Sequence, residues 1–145
     1  HLNKYNNRGG LITLESVDDA ATVYMGSQYR MPIIDEIREL INNTTQTFID
    51  IDGNEYVKGA DTINIEEGKL KGVRFTSPNG NSIFIPAAGM CQESFYGGIS
   101  MYGSLWASSI YPPASDAAYF WHLSTSMLIT DEPRSKGRSV RGVQP

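Results

Sequence analysis

Residues 102–143 read YGSLWASSIYPPASDAAYFWHLSTSMLITDEPRSKGRSVRGV and form the last third of this 145-residue chain. This stretch contains both tryptophans, Trp106 and Trp121, and it also contains His122. At its centre lies the run AYFWHLS, Ala118–Ser124, which is rich in the aromatic residues that favour strands. We therefore expect a strand here, and we expect the rest of the chain to build a scaffold that displays this stretch.

Alternation along this strand separates its side chains into two sets, because successive residues of a strand point to opposite faces. The first set, which is apolar enough to face a core, is Tyr119, Trp121 and Leu123. The second set, which mixes apolar and polar side chains, is Phe120, His122 and Ser124. An exposed Phe120 beside an exposed His122 is typical of a contact patch. The opposite assignment, in which Phe120 is buried and Trp121 is exposed, is the alternative.

Two helices are predicted upstream, where apolar residues recur with a period of 3.6. Ser16 is a candidate N-cap for a first helix over Val17–Met25, and Gly26 is a candidate for its end. Pro32 suits the first turn of a second helix, Ile33–Asn42, in which four apolar side chains share one face.

Beyond the second helix the period of the apolar residues changes to two, which predicts strands. The predicted strands are Leu11–Glu15, Thr45–Ile51, Glu55–Lys58, Leu70–Thr76, Ser82–Pro86, Ala118–Ser124, Met127–Thr130 and Gly137–Val143. Asp52-Gly53 and the stretch 78–81 are hairpin turns, whereas Ala87–Gly98 is glycine-rich and is predicted to be irregular. The order predicts an α+β fold, with helices packed on antiparallel sheets and long loops. Residues 1–10 are predicted to be a flexible arm, and residues 11–145 a single recognition domain.

Composition excludes several classes of protein. The net charge of -4 and the pI near 5.1 argue against a surface for nucleic acid or for an anionic membrane. The chain has one cysteine, Cys91, so it holds no internal disulfide and no cysteine-rich zinc site. No apolar run is long enough for a transmembrane helix. The polar N-terminus leads us to expect either a module of a larger exported protein or a virion protein.

Four ordered motifs carry a resemblance to a known family. They are GSQYRMPIIDEIRELIN (26–42), PNGNSIFIPAAG (78–89), YGSLWASS (102–109) and RSKGRSVRGV (134–143). These resemble the "W-RMPT-EE-EL", "NGNSIFLPAAG", "YYWSS" and "R-x-x-G-x-SVRPV" motifs of Bacteroidetes surface modules, the Fibrobacter succinogenes major domain and its relatives. The resemblance covers about residues 11–143 and implies a C-type-lectin-like fold, the architecture of formylglycine-generating enzymes. Ile33 and Gly142 depart from the family pattern, which has Thr and then Pro or Cys there.

The chain also resembles the variable proteins of diversity-generating retroelements, whose variable segment lies at the C-terminal end of this fold. The resemblance implies that the ligand-binding positions are Tyr111, Ala114, Asp116, Ala117, Phe120, His122, Ser124 and Ser126. We expect the binding face to extend over the loop that begins at Tyr102, with Tyr96 and Arg134 at its rim. One sequence leaves open whether these positions are diversified or belong to an undiversified member of the family.

The enzyme and metal alternatives have weak support in the sequence. His122 has no Gly-x-Ser-x-Gly elbow to accompany it. The resemblance to formylglycine-generating enzymes implies a pair of copper-binding cysteines, and Cys91 stands alone. The Trp-Asn-Asp motif of calcium-dependent lectins is absent. We therefore expect a protein that is not an enzyme and that carries no cofactor and no metal.

Together these features predict a non-enzymatic ligand-recognition module for adhesion or receptor binding. Its expected partner is a protein or glycan on a cell surface, without nucleic acid and without insertion into a membrane. The expected setting is extracellular, on a Bacteroidetes cell surface or a phage virion, as part of a larger chain or an oligomer. The alternative is an architectural domain that assembles a fimbrial or phage tail protein.

Overall fold

The structure is a computed structural model, and it describes residues 4–5, 10–114 and 116–144. It is an α+β protein with two short helices and three antiparallel sheets, which confirms the predicted class. Most of the predicted arm, residues 1–3 and 6–9, lies outside the described residues. The helices are α1 (Ala20–Met25) and α2 (Ile34–Asn43). The strands are β1 (Thr45–Asp50), β2 (Glu55–Val57), β3 (Leu70–Thr76), β4 (Ser82–Pro86), β5 (Ala88–Gln92), β6 (Phe95–Ile99), β7 (Gly103–Ile110), β8 (Ala117–Leu123) and β9 (Met127–Pro133).

Helix α1 begins later than the sequence predicts, because its N-cap is Asp19 and not Ser16. The carboxylate of Asp19 accepts a hydrogen bond from the backbone N–H of Thr22 at 3.0 Å. It also accepts from the backbone N–H of Met31 at 2.8 Å, which ties the start of α1 to the approach to α2. Ser16 and Val17 are exposed and precede the helix. Gly26 ends α1 as predicted, with φ of 105°.

Helix α2 is held at its N-terminus by side chains from two directions. Glu36 accepts from the backbone N–H of Ile33 at 2.9 Å and pairs with both terminal nitrogens of Arg30. The hydroxyl of Ser109 in β7 accepts from the N–H of Ile34 at 3.1 Å. These bonds satisfy donors that a helix leaves free at its first turn. The apolar face that the sequence predicts is confirmed, since Ile34 and Ile37 are buried.

The first sheet has the order β2-β1-β3-β4 and forms one wall of the core. Its strands and both hairpin turns follow the predicted pattern closely, and the predicted bounds of β3 and β4 agree with the structure. Phe48 and Val73 are fully buried on its inner face, and Phe75 is 1% exposed. The second sheet is the β5–β6 hairpin, which lies in the stretch predicted to be irregular.

The third sheet has the order β7-β8-β9 and forms the opposite wall. Trp121 of the central strand packs edge-on against Phe75 of the first sheet, with ring centroids 5.0 Å apart. Trp121 and Leu123 are both 1% exposed, so the prediction that they face the core is confirmed. Strand β7 occupies a stretch that the sequence analysis assigned to a loop, and β9 runs three residues past the predicted Thr130.

Residues 134–143, which we call the C-terminal segment, connect distant parts of the fold. Gly137 exchanges two backbone hydrogen bonds with Cys91 of β5, and Val143 exchanges two with Arg30. Between them Ser139 bonds to the backbone of β7 at Ser104 and Trp106. The predicted strand Gly137–Val143 is therefore wrong as a ladder, because the described contacts are isolated bridges to three different partners.

Candidate functional site

The predicted binding strand β8 has its two faces in the predicted arrangement, but the second face is covered. Phe120 lies opposite Trp121 as expected, yet it is only 4% exposed. The prediction that Phe120 is an exposed contact residue is therefore wrong. Ala117 is 4% exposed and is likewise buried, so its side chain offers almost no surface to a ligand.

The cover over Phe120 is the side chain of Arg138 from the C-terminal segment. Its guanidinium carbon lies 3.6 Å from the centroid of the Phe120 ring and 5.3 Å from that of Trp106. It also donates to the hydroxyl of Ser104 and lies 3.5 Å from the carboxylate of Glu132. This side chain is 2% exposed, and burial is the main cause of the lowered pKa of Arg138. A planar cation that stacks on aromatic rings while it bonds to oxygen suits this position.

Trp106 holds the C-terminal segment in place against the third sheet. Its indole N–H donates to the carbonyl of Lys136 at 3.2 Å, and its ring packs edge-on against Phe120. Trp106 lies on the face of β7 opposite the core residue Leu105, because successive residues of a strand point to opposite faces.

Four of the predicted site residues come together at one end of the third sheet: Tyr102, His122, Ser124 and Ser126. The rings of Tyr102 and His122 lie 4.6 Å apart, and both residues are half-buried. Ser124 lines a surface depression together with Tyr102, and its hydroxyl donates to the carbonyl of Ser126 at 2.8 Å. Ser126 is exposed at the turn between β8 and β9.

The remaining predicted residues lie at the other end of β8, roughly 20 Å away for a strand of this length. Tyr111 packs edge-on against Tyr119, and Ala114 is half-buried in the turn before β8. Asp116 is exposed there, and its carbonyl accepts from the backbone N–H of Arg134. The guanidinium of Arg134 donates to the carbonyl of Tyr5 at 2.8 Å. The structure therefore divides the predicted site into two separate clusters.

An exposed apolar surface that the sequence did not predict lies on the β5–β6 hairpin. It is next to the first cluster, which is Tyr102, His122, Ser124 and Ser126. Tyr96 is 72% exposed and Ile99 is 64% exposed. Both line a groove of about 270 Å³, whose other wall is Gly137–Ser139. The sequence analysis placed Tyr96 only at the rim, because a glycine-rich stretch gives little strand signal. The adjacent aromatic residues Phe95 and Tyr96 are the sequence signal in this stretch, and the structure shows that Phe95 is exposed as well.

The hairpin and the first cluster form one continuous surface, because Tyr102 lies between them. The Tyr102 ring packs against Gly98, where a side chain would clash with it. On its other side the ring contacts His122. We call Tyr96, Ile99, Tyr102 and His122 the recognition face. Gly98 has φ of 76°, a conformation that glycine adopts more easily than other residues. Its lack of a side chain also lets the Tyr102 ring lie close to the backbone.

The charge on this face is set by His122 and Arg138. Burial, and after it the positive charge of Arg138, lowers the pKa of His122 from its ordinary value of 6.5. The imidazole is therefore neutral at pH 7, and it offers one donor and one acceptor beside two aromatic rings. In the described part of the chain, no three His, Cys, Asp or Glu side chains are grouped so that they could hold a metal ion.

Comparisons with known proteins give no family for this chain. No protein-family model matches it, and neither a curated protein nor a solved structure is similar enough to match. Among the described residues, neither helix is long and apolar enough to span a bilayer.

Proposed function

We propose that the chain is a non-enzymatic recognition module that binds a protein or glycan on a cell surface through the recognition face. The observation that carries this proposal is the exposure of Tyr96 and Ile99 beside a groove, next to the stacked pair of Tyr102 and His122. Contiguous exposed apolar side chains with polar neighbours are typical of interaction sites. Tyrosine in particular supplies a large contact area at a low cost in conformational entropy.

The scaffold under this face favours recognition without large rearrangement. Tyr102 is fixed between Gly98 and His122, and the groove wall at Gly137 is bonded to β5 by two backbone hydrogen bonds. A face that is already ordered loses less entropy when it binds, so more of the contact energy appears as affinity.

We further propose a C-type-lectin-like fold of the kind that the four motifs imply. Support comes from the way three of these motifs meet. Ser108 and Ser109 of the third motif bond to Pro32 and Ile34 of the first. The fourth motif bonds to the third at Ser139 and to the first at Val143. Motifs that define a common fold are expected to contact one another, and these three motifs do so.

The setting that we propose is an adhesin of a Bacteroidetes cell surface or a phage particle that meets such cells. In the related retroelement proteins the binding positions vary. Three of those positions, His122, Ser124 and Ser126, lie on or beside the recognition face. Variation at Phe120 or Ala117 would instead disturb packing, since both are buried. Diversification is therefore expected at the exposed positions and not at the buried ones.

The test is binding of the labelled protein to intact Bacteroidetes cells, measured by flow cytometry. The double variant Tyr96→Ser/Ile99→Ser is expected to lose at least tenfold in binding, because it removes the exposed apolar contact area. The matched control is Val23→Ser/Tyr24→Ser, which removes an equally exposed pair from α1 and is expected to bind normally. Protease treatment of the cells abolishes binding to a protein ligand, and periodate treatment abolishes binding to a glycan.

Equal binding by the wild type and by the Tyr96→Ser/Ile99→Ser variant would contradict the proposed face. One observation favours the architectural alternative, namely a second exposed apolar surface on and before α1, where Val17 is 74% and Tyr24 is 87% exposed. Two different surfaces are what head-to-tail assembly needs. Sedimentation that shows oligomers, which the α1 variant and the hairpin variant both reduce to monomers, would support assembly.

A further inference from the structure

A second site lies inside the fold, on the opposite face of β8 from the recognition face. A cavity of about 220 Å³ opens between α2 and the two large sheets. Its walls are aliphatic, with Ile37 and Leu40 from α2, Ile83 and Ile85 from β4, and Leu105 from β7. A dry cavity of about 150 Å³ with walls of this kind holds a benzene molecule, so this one has room for an apolar body of roughly six to eight carbons.

One residue of the cavity wall, Trp121, carries a buried hydrogen-bond donor that has no acceptor among the described residues. This donor is the indole N–H, and Trp121 is 1% exposed. Buried indole N–H groups normally have a partner, because an unmade hydrogen bond costs about 1–3 kcal/mol. The Trp121 ring forms part of the cavity wall, so its N–H signal reports on a molecule that enters the cavity.

The charged residues at the cavity leave a positive charge for a ligand. Arg141 lines it and is exposed, and no carboxylate in the described part of the chain lies within ion-pair distance of its guanidinium. Glu36 also lines the cavity, but its two oxygens are held by Arg30 and by the N–H of Ile33. Arg30 therefore neutralises Glu36, and Arg141 keeps its charge free.

We propose that this cavity binds a small monocarboxylate with an apolar body, such as a short-chain or aryl carboxylate. The body packs against the aliphatic walls, where each buried methylene contributes about 0.8 kcal/mol. The carboxylate pairs with Arg141 at the cavity, since guanidinium–carboxylate hydrogen bonds are stronger than neutral ones. This site is separate from the recognition face, so each can fail without the other.

The test is a titration of the full chain with hexanoate, followed through the two tryptophan indole N–H signals in a ¹H–¹⁵N spectrum. The Trp121 signal is expected to shift until it saturates, whereas the Trp106 signal, on the other face of the sheet, stays in place. A Trp106→Phe variant assigns the two signals. Hexan-1-ol, which has the same apolar body without the charge, is expected to bind about tenfold more weakly.

Two variants separate the contributions of the charge and the cavity. Arg141→Gln is expected to weaken hexanoate binding about tenfold and to leave hexan-1-ol binding unchanged. Its matched control, Arg38→Gln, lies on α2, where Arg38 pairs with Asp35, and is expected to bind hexanoate normally. Leu40→Phe fills the cavity and is expected to abolish the shift. Ile83→Phe fills it from the opposite wall and serves if the first variant does not fold.

The proposal is overturned if the Trp121 signal does not shift to saturation with hexanoate. Equal affinities for hexanoate and hexan-1-ol, unchanged in Arg141→Gln, would show that the cavity does not select a carboxylate. A shift that persists in the folded Leu40→Phe variant would place the ligand elsewhere.

Discussion

A single buried arginine covers the centre of the binding strand that the sequence predicts. Arg138 lies on Phe120 and Trp106, and without it both rings would be exposed on the outer face of the third sheet. Arg141, three residues later, is exposed. Nothing within the local pattern RSVRGV distinguishes the two.

At the same scale, His122 is expected to make stability depend on pH between about 7.5 and 5. Its pKa is lowered in the folded protein, so below pH 6.5 the unfolded chain binds the proton first. The contribution of His122 to the free energy of unfolding is therefore fully present above pH 6.5. It is lost as the pH drops towards the pKa of His122 in the folded protein. Urea unfolding at pH 7.5, 6.0 and 5.0 measures this trend.

The matched variant is His122→Gln, which keeps a donor and an acceptor but does not titrate. Its free energy of unfolding is expected to change less between pH 7.5 and 5.0 than that of the wild type. Glu36 also has a lowered pKa, but its ordinary value is 4.5, so its contribution is lost mainly below this range. A constant difference between the wild type and the variant across the range would contradict the assignment.

The sequence correctly predicted which face of β8 each side chain points to, but it did not predict which side chains are exposed. Alternation correctly placed Trp121 and Phe120 on opposite faces of β8, because that follows from the strand alone. The burial of Phe120 depends on Arg138, eighteen positions along the chain, and the exposure of Tyr96 depends on a hairpin with few strand-forming residues. Both are tertiary effects that a local pattern does not contain.

At the scale of the element, the start of α1 is expected to depend on Asp19. Asp19→Ala removes the N-cap and also leaves the buried N–H of Met31 without its acceptor. The expected loss in the free energy of unfolding is about 2–4 kcal/mol, as the sum of a cap and an unsatisfied donor. Chemical denaturation with circular dichroism measures it.

Ser16→Ala is the matched control, since the sequence alone made Ser16 the N-cap. The exposed Ser16 lies before the helix, so its removal is expected to change the free energy of unfolding by less than about 0.5 kcal/mol. The assignment would be contradicted if Ser16→Ala lowered the free energy of unfolding by about 1 kcal/mol while Asp19→Ala left it almost unchanged. The helix would then begin after Ser16, as the sequence predicts.

Strand β7 shows why one element escaped prediction. Its sequence GSLWASSI contains three serines, which are uncommon inside buried strands, and all three are buried here. Each hydroxyl has a distant partner: Ser104 accepts from Arg138, Ser108 donates to Pro32, and Ser109 accepts from Ile34. Their burial is therefore possible only in the finished fold. The strands of the first sheet, by contrast, carry their own alternation and their own turns.

At the scale of the whole molecule, the C-terminal segment is expected to open only when the protein unfolds globally. Its backbone bonds reach β5, β7 and the stretch before α2, so local opening would break contacts in three places. The amides of Gly137, Ser139 and Val143 are therefore expected to exchange with the same protection as those of the core strand β3. Native-state hydrogen exchange measures this, and fast exchange at these three amides alone would show that the segment is only loosely attached.

The covering of Phe120 by Arg138 has a consequence for biosynthesis. The ribosome makes Trp106 and Phe120 before the arginine that covers them, and 32 positions separate Trp106 from Arg138. At about 5–20 residues per second, the nascent chain exposes the Trp106 ring for roughly 2–6 seconds before Arg138 is made. During that interval the aromatic surface is a target for chaperones and for other nascent chains. The outer face of the third sheet is therefore completed only after translation has passed the C-terminal segment.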